Sequence, residues 1–200
     1  MKKKTKEIDE LVIESFTTEL WEKELSRVEH NSKFNAALKS TIGILITVAA
    51  IAVLVATLWL PVFQVFGSSM TPTLQDGQIV ISIKKSTFDT GDIIAFYYNN
   101  KILVKRVIAE AGEWVDLEDD GTVLVNSNTL EEPYLQEKAF GDCNIALPYQ
   151  VPESRVFVMG DHRAVSIDSR NTAVGCVAEE QIVGKLVFRV WPLSQFGKID

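Results

Sequence analysis

From Ser40 to Gln75 the chain carries no charged residue and no histidine. Its centre, TIGILITVAAIAVLVATLWLP (Thr41–Pro61), is long enough as a helix to cross a hydrocarbon core of about 30 Å. Trp59 stands near one end, where an amphipathic ring suits a membrane interface. A cleaved secretory leader would have a shorter apolar core and would start near the N-terminus. This segment instead follows a long polar stretch, so a permanent anchor is expected over residues 40–62. Lys33 and Lys39 lie just before it, and the first cation after it is Lys84. The positive-inside rule then puts an N-terminal arm, residues 1–39, in the cytoplasm and residues 63–200 outside. Within the arm, Trp21, Leu25 and Val28 fall at helical spacing, with Ile8, Val12 and Phe16 on a related stripe. An amphipathic helix is expected there.

The remainder suits one globular domain, in a chain of 200 residues with 46% hydrophobic content and a net charge of −7. That acidity excludes a nucleic-acid partner, which needs clustered Lys and Arg. Cys143 and Cys176 have neither a CxxC partner nor a histidine at ligand spacing, so no metal site is expected. Outside a cell they form either one disulfide or two free thiols, and the sequence leaves both open.

Beyond residue 62, short apolar runs alternate with turn signals. QIVISI (Gln78–Ile83), IIAFYY (Ile93–Tyr98), KILVKRVIAE (Lys101–Glu110), GTVLVNS (Gly121–Ser127), RVFVMGD (Arg155–Asp161) and GKLVFRVWP (Gly184–Pro192) are rich in Val and Ile and bounded by Gly, Asn or Asp. Such runs are strands. The expected fold is mainly β, an antiparallel-sheet domain preceded by one transmembrane helix and a short helical arm.

Within ILVKRVIA, alternation places Leu103, Lys105, Val107 and Ala109 on one face and Ile102, Val104, Arg106 and Ile108 on the other. Each face is apolar except for one cation, so the strand is expected to be buried on both sides. Arg106 stays charged. Desolvation lowers the pKa of an amine, and a neutral lysine is a usable general base near pH 7. Taken alone, the strand favours a Lys105 that snorkels at a sheet edge. A serine nucleophile needs a base, and beyond the anchor the candidates are Lys105 and a single histidine, His162.

The blocks SSMTPTL, TGDIIAF, VKRVIAEAGE, GDHRAVSIDSR and GKLVFRVWPL occur in the order seen in bacterial type I signal peptidases. The resemblance spans Phe63–Gly197 and includes the single anchor. It implies a Ser–Lys serine endopeptidase that removes signal peptides from exported pre-proteins after small residues, Ala-x-Ala. By position, Ser69 is the nucleophile and Lys105 its general base. Ser166 would hydrogen-bond and orient the lysine, with Asp161, Asp168 and Arg170 supporting the site. Val65, Met70, Leu74, Val80 and Val104 would line the pockets for small side chains, where ordinary core is the plainer reading. Several members have a serine two positions before the nucleophile, whose hydroxyl donates to the oxyanion, and Gly67 stands there instead. His162 replaces a residue that is usually Asn. No cofactor or metal is implied, and the partners are signal peptides and the lipid bilayer of a cell membrane.

Ser69 lies nine residues past Leu60, at most about 30 Å even fully extended, so the resemblance ties the nucleophile to the membrane surface. Self-cleaving repressors also use Ser–Lys chemistry, but they carry a DNA-binding domain in place of an anchor. A tethered binding module would leave the Ser69, Lys105 and Asp161–Arg170 blocks unexplained. The alternative kept is a signal-peptidase-like pilus-assembly factor with little or no proteolysis. Such factors lose the Ser or the Lys, and both are present here.

Overall fold

The computed structural model describes residues 2–84 and 87–199, leaving aside the side chains of residues 2–17 and 19. The chain divides into two units, residues 1–54 and 55–200. A single helix, α1 (Lys2–Trp59), runs through the first unit and into the second without a break at residue 39. Its stretch Leu20–Trp59 is long and apolar enough to cross a membrane. Two threonines inside the apolar run return their hydroxyls to the helix, Thr41 to Ala37 O at 3.0 Å and Thr47 to Gly43 O at 2.9 Å. Their polarity is thereby satisfied without water. The helix stops short of residue 62 because Leu60 precedes Pro61, and proline disfavours the helical region for the residue before it. Trp21, Leu25 and Val28 are exposed, whereas the side chains of Ile8, Val12 and Phe16 lie outside the described residues.

The second unit is built on antiparallel strands. In chain order they are β1 (Val62–Gln64), β2 (Ile79–Ile83), β3 (Ile93–Tyr98), β4 (Lys101–Ala109), β5 (Trp114–Leu117), β6 (Val123–Val125), β7 (Asn128–Thr129), β8 (Tyr149–Gln150), β9 (Arg155–Met159), β10 (Val177–Ala178), β11 (Ile182–Trp191) and β12 (Gly197–Lys198). The larger sheet has the order β1-β2-β11-β3-β4-β9-β10, with β12 added to β11, and the smaller has the order β7-β6-β5-β8. The long β11 shifts register against β2 and β3. Gly184 marks one shift, because a Cβ there would overlap the Ile83 carbonyl. Such bulges bend a strand and tighten its twist.

Three apolar clusters fix the sheets. Ile108, Phe157 and Met159 of the large sheet pack with Val115, Leu117 and Val123 of the small one. Val65, Met70, Leu74 and Val80 pack with Ile93, Ala95 and Leu186. Ile94, Phe96, Val107, Val156 and Val158 form the third cluster.

Strand β4 departs from the two-sided burial expected of it. Lys105–Ala109 are buried, whereas Lys101 and Ile102 are exposed. The cause is pairing. β3 pairs with Lys101–Arg106, but β9 begins only opposite Arg106, and a bulge between Val107 and Ala109 resets the alternation. The outer half of β4 therefore has one free edge. β1, at the end of the sheet order, has another.

Candidate active site

Ser69 sits in the loop after β1, and the backbone on either side of that loop is pinned. Val65 N–H donates to Gln78 O at 2.8 Å, and Gly77 N–H donates to Val65 O at 2.9 Å. Gly67 adopts φ +85°, a left-handed conformation open to glycine, and donates its N–H to Asp76 Oδ1 at 2.7 Å. On the far side, Leu74 N–H bonds Met70 O at 2.8 Å, and Met70 and Leu74 anchor the loop in the core.

Lys105 reaches this loop from β4. Its Nζ lies 2.7 Å from Ser69 Oγ, and the lysine is 3% exposed. Burial, the largest influence, pulls the amine down from its ordinary value to about 8. The carboxylates of Asp168 and Asp161 oppose that shift, and the Arg170 guanidinium adds to it. An amine in this state exists in both forms near neutral pH. In its neutral form it can take the hydroxyl proton it already faces.

The two acidic side chains reach Lys105 by their fields, while their hydrogen bonds go to arginines, to Thr73 and to the Gly160 N–H. Asp161 accepts from Arg106 Nε at 3.0 Å, from Arg106 Nη2 at 2.8 Å and from Thr73 Oγ1 at 2.5 Å. Asp168 accepts from Arg170 Nε at 2.8 Å, from Arg170 Nη2 at 2.9 Å and from Gly160 N–H at 3.0 Å. Burial pushes the Asp168 carboxyl upward, but the hydrogen bonds and charge of Arg170, with the Gly160 N–H, outweigh it and hold the group below its ordinary value. Arg170 also donates to Phe140 O at 2.7 Å and Arg163 O at 3.0 Å.

The hydrogen bond expected from Ser166 to Lys105 is not formed. Ser166 is 1% exposed, and among the described residues its hydroxyl makes no well-formed hydrogen bond, although it lies close enough to Asp168 to help hold that carboxyl down. It lies against Gly160, where an added Cβ would overlap both Ser166 Oγ and the Ser69 carbonyl. Gly160 thus lets the main chain of Ser69 and the side chain of Ser166 approach the same point.

A cavity of about 240 Å³ opens beside the Ser69–Lys105 pair. It is lined by residues 62–67, Ser69 and Met70 on one side and by residues 102–105 on the other. The two free strand edges therefore face each other across it. Val65, Met70 and Val104 line this cavity, whereas Leu74 and Val80 do not. Both are fully buried in the core cluster that holds Val65 and Met70.

The match to known proteins follows this geometry. Residues 38–191 match the model of the family described as signal peptidase, peptidase S26. The chain belongs to that family. Signal peptidase IB of Staphylococcus aureus is 38% identical over 155 residues, covering 67% of this chain and 79% of its own. Signal peptidase I of Bacillus licheniformis is 32% identical over 192 residues, covering 88% of this chain and all of its own. A solved signal peptidase I from Enterococcus faecalis V583 has 31% identity and a TM-score of 0.44, over 50% of this chain and 97% of its own. Membership makes the protein an enzyme, a serine protease of signal-peptide processing.

Within this signal peptidase fold, several structural partners escaped the sequence. Arg163 and Glu132 form a nearly solvent-free ion pair, with Arg163 Nε also donating to Gly160 O at 3.2 Å. Tyr134 donates to Glu132 at 2.9 Å, and its ring lies 3.8 Å from the Arg106 guanidinium carbon. Nothing local marks Glu132 as the mate of an arginine 31 positions away. His162 faces Thr71, with its Nδ1 3.1 Å from Thr71 Oγ1. Cys143 and Cys176 are free thiols, and burial lifts Cys176 to about 11.

Proposed function

We propose that this signal peptidase is a membrane-anchored endopeptidase with Ser69 as nucleophile and Lys105 as general base. The observation that carries the reading is the 2.7 Å contact between Lys105 Nζ and Ser69 Oγ, made by a lysine that is buried and shifted to about 8. Neutral Lys105 takes the Ser69 proton as Oγ attacks the scissile carbonyl. The tetrahedral intermediate collapses with the amine of the departing chain as leaving group, protonated by the Lys105 ammonium. Lys105, neutral again after giving up that proton, then deprotonates the water that releases the acyl chain from Ser69. Ser69 N–H, which donates to no group among the described residues, serves as an oxyanion donor. Asp161, Asp168 and Arg170 fix the surrounding backbone and the field at Lys105. Ser166, buried beside Gly160, holds its hydroxyl next to the Ser69 main chain and helps set the charge of Asp168.

The substrate enters extended, hydrogen-bonding to the free edges of β1 and β4. The small cavity lined by Val65, Met70 and Val104 favours small side chains such as Ala ahead of the cleaved bond. α1 anchors the enzyme through its apolar run, with the arm in the cytoplasm and the β unit outside, at the level where signal peptides emerge.

The test is cleavage of a pre-protein bearing an Ala-x-Ala site by the full chain in detergent, with Ser69→Ala and Lys105→Ala beside it. Processing by the parent and none by either folded variant is expected. Full activity in either variant overturns the dyad, and an inactive, folded parent overturns the peptidase reading.

A further inference from the structure

The mechanism above leaves His162 unused, yet this residue touches the Ser69 loop twice. Its backbone N–H donates to Ser69 O at 3.0 Å. Its ring nitrogen Nδ1 lies 3.1 Å from Thr71 Oγ1, and the Thr71 hydroxyl lies 2.8 Å from Ser68 O as its donor. A hydroxyl has one proton to give. With that proton committed to Ser68 O, Thr71 Oγ1 must accept from His162, which requires the Nδ1–H form of the ring. The chain of donors runs from His162 Nδ1–H to Thr71 Oγ1–H to Ser68 O.

Ser68 C=O and Ser69 N–H belong to one peptide unit. That unit is trans, so the two groups point in opposite directions within a single plane. Holding Ser68 O from one side therefore aims Ser69 N–H to the other. Thr71 N–H adds a second bond to the same carbonyl, at 3.1 Å. The peptide unit on the other side of Ser69 is held by the backbone of His162. Both planes that flank the nucleophile are thus referred to one residue.

We propose that the His162 side chain is a positioning residue for the oxyanion donor, acting through Thr71 to fix the orientation of the Ser68–Ser69 peptide. It does not move the proton of Ser69. That role stays with Lys105, and the inference rests on the Ser69–Lys105 reading. Preorganised donors stabilise the transition state only when they already point at the developing charge, so loosening one lowers turnover more than binding. Protonation of the ring leaves Nδ1–H in place, so the relay works in either charge state of His162.

The experiment compares His162→Leu, His162→Asn, Thr71→Val and the double variant His162→Leu/Thr71→Val on a fluorogenic Ala-x-Ala peptide, with folding checked by thermal unfolding. His162→Leu leaves Thr71 without its donor and is expected to lower kcat about tenfold with KM within about twofold. His162→Asn restores a side-chain N–H toward Thr71 and is expected to return kcat to within about threefold of the parent. Thr71→Val removes the middle of the relay, so adding His162→Leu to it should cost at most about twofold more. The midpoint of the pH profile should be the same in all four. Parent-like kcat in His162→Leu overturns the proposal, as does an Asn variant as slow as the Leu variant, or additive losses in the double variant. If His162→Leu does not fold, the Asn and Thr71→Val variants decide: a Thr71→Val kcat equal to the parent's overturns the relay. Lys105→Ala and Ser69→Ala are run alongside. Activity in either defeats the dyad, whereas the His162 results with both inactive bear on the relay alone.

Discussion

Arg106 and Asp161 close a two-bonded ion pair that is almost dry, with side chains 3% and 0% exposed. Each is next in sequence to a residue of the site, Lys105 in one case and Gly160 in the other. Cutting Asp161 to Ala strands a buried guanidinium and removes the acceptor of Thr73, with an expected loss of about 3–5 kcal/mol of stability. Pairing that change with Arg106→Met should recover most of the loss, since a buried pair replaced by apolar groups is often neutral. Thermal unfolding of the single and double variants checks both. A single variant within about 1 kcal/mol of the parent would show the pair to be solvated.

The dependence on pH follows from Lys105. As the proposed base it must be neutral, and its pKa of about 8 means that kcat/KM should climb with pH and level off above that value. Asp168→Asn removes a negative field that favours the ammonium and leaves Arg170 to oppose it. The midpoint should therefore move down. A midpoint near the ordinary lysine value in the parent would mean that the site is wet.

The same shift makes Lys105 a burden on the fold. Its pKa is lower in the folded chain than in the unfolded one, where it is close to 10.5. Between about 8 and 10.5 the unfolded chain binds more protons, so this group makes stability rise with pH across that window. Below it, the fold carries a buried ammonium. Lys105→Met should thus be inactive yet raise the melting temperature at pH 7, with the gain shrinking as pH rises past 8. A variant less stable than the parent at pH 7 would refute the linkage.

Gly160 offers a test by volume alone. An added Cβ would meet Ser166 Oγ and the Ser69 carbonyl at once. Displacing reacting groups by about 1 Å can cost about 100-fold, so Gly160→Ala should lower kcat by that order. Peptide cleavage beside a circular dichroism spectrum separates this from unfolding. Near-parent turnover would mean that the Ser69 loop moves aside freely.

Much of the fold was legible because it rests on side-chain pattern. β3 was outlined to the residue as IIAFYY, and β2, β4, β9 and β11 to within a few, each being a run of Val, Ile or aromatics. β1, β7, β8, β10 and β12 are two or three residues long, and such pieces exist through their partners rather than through any periodicity of their own. The end of α1 was misjudged because hydropathy continues past Trp59, while the conformational effect of Pro61 acts one residue earlier. In the site, Ser69 and Lys105 were named by resemblance, because 36 residues of separation say nothing about a 2.7 Å contact. The apolar faces of KILVKRVIA raised Lys105 as a candidate base, but taken alone they favoured a lysine that snorkels at a sheet edge. Leu74 and Val80 were placed in the pocket by chain neighbourhood, but the loop turns Leu74 into the core and the alternation of β2 turns Val80 there. The network of Glu132, Tyr134 and Arg163 joins distant loops and had no local signature.

The free edge along the outer half of β4 has a cost and a use. A bare strand edge invites any extended chain, including another copy of the same protein, and folds usually hide it. On the proposed reading it stays open for substrate, because main-chain groups recognise main-chain groups without regard to sequence. An enzyme that reads its clients this way can serve very many of them with one site. If the proposed small-residue pocket and membrane anchor hold, selectivity falls on a few small side chains and on where along the membrane the chain surfaces, so what is cut is decided as much by address as by spelling.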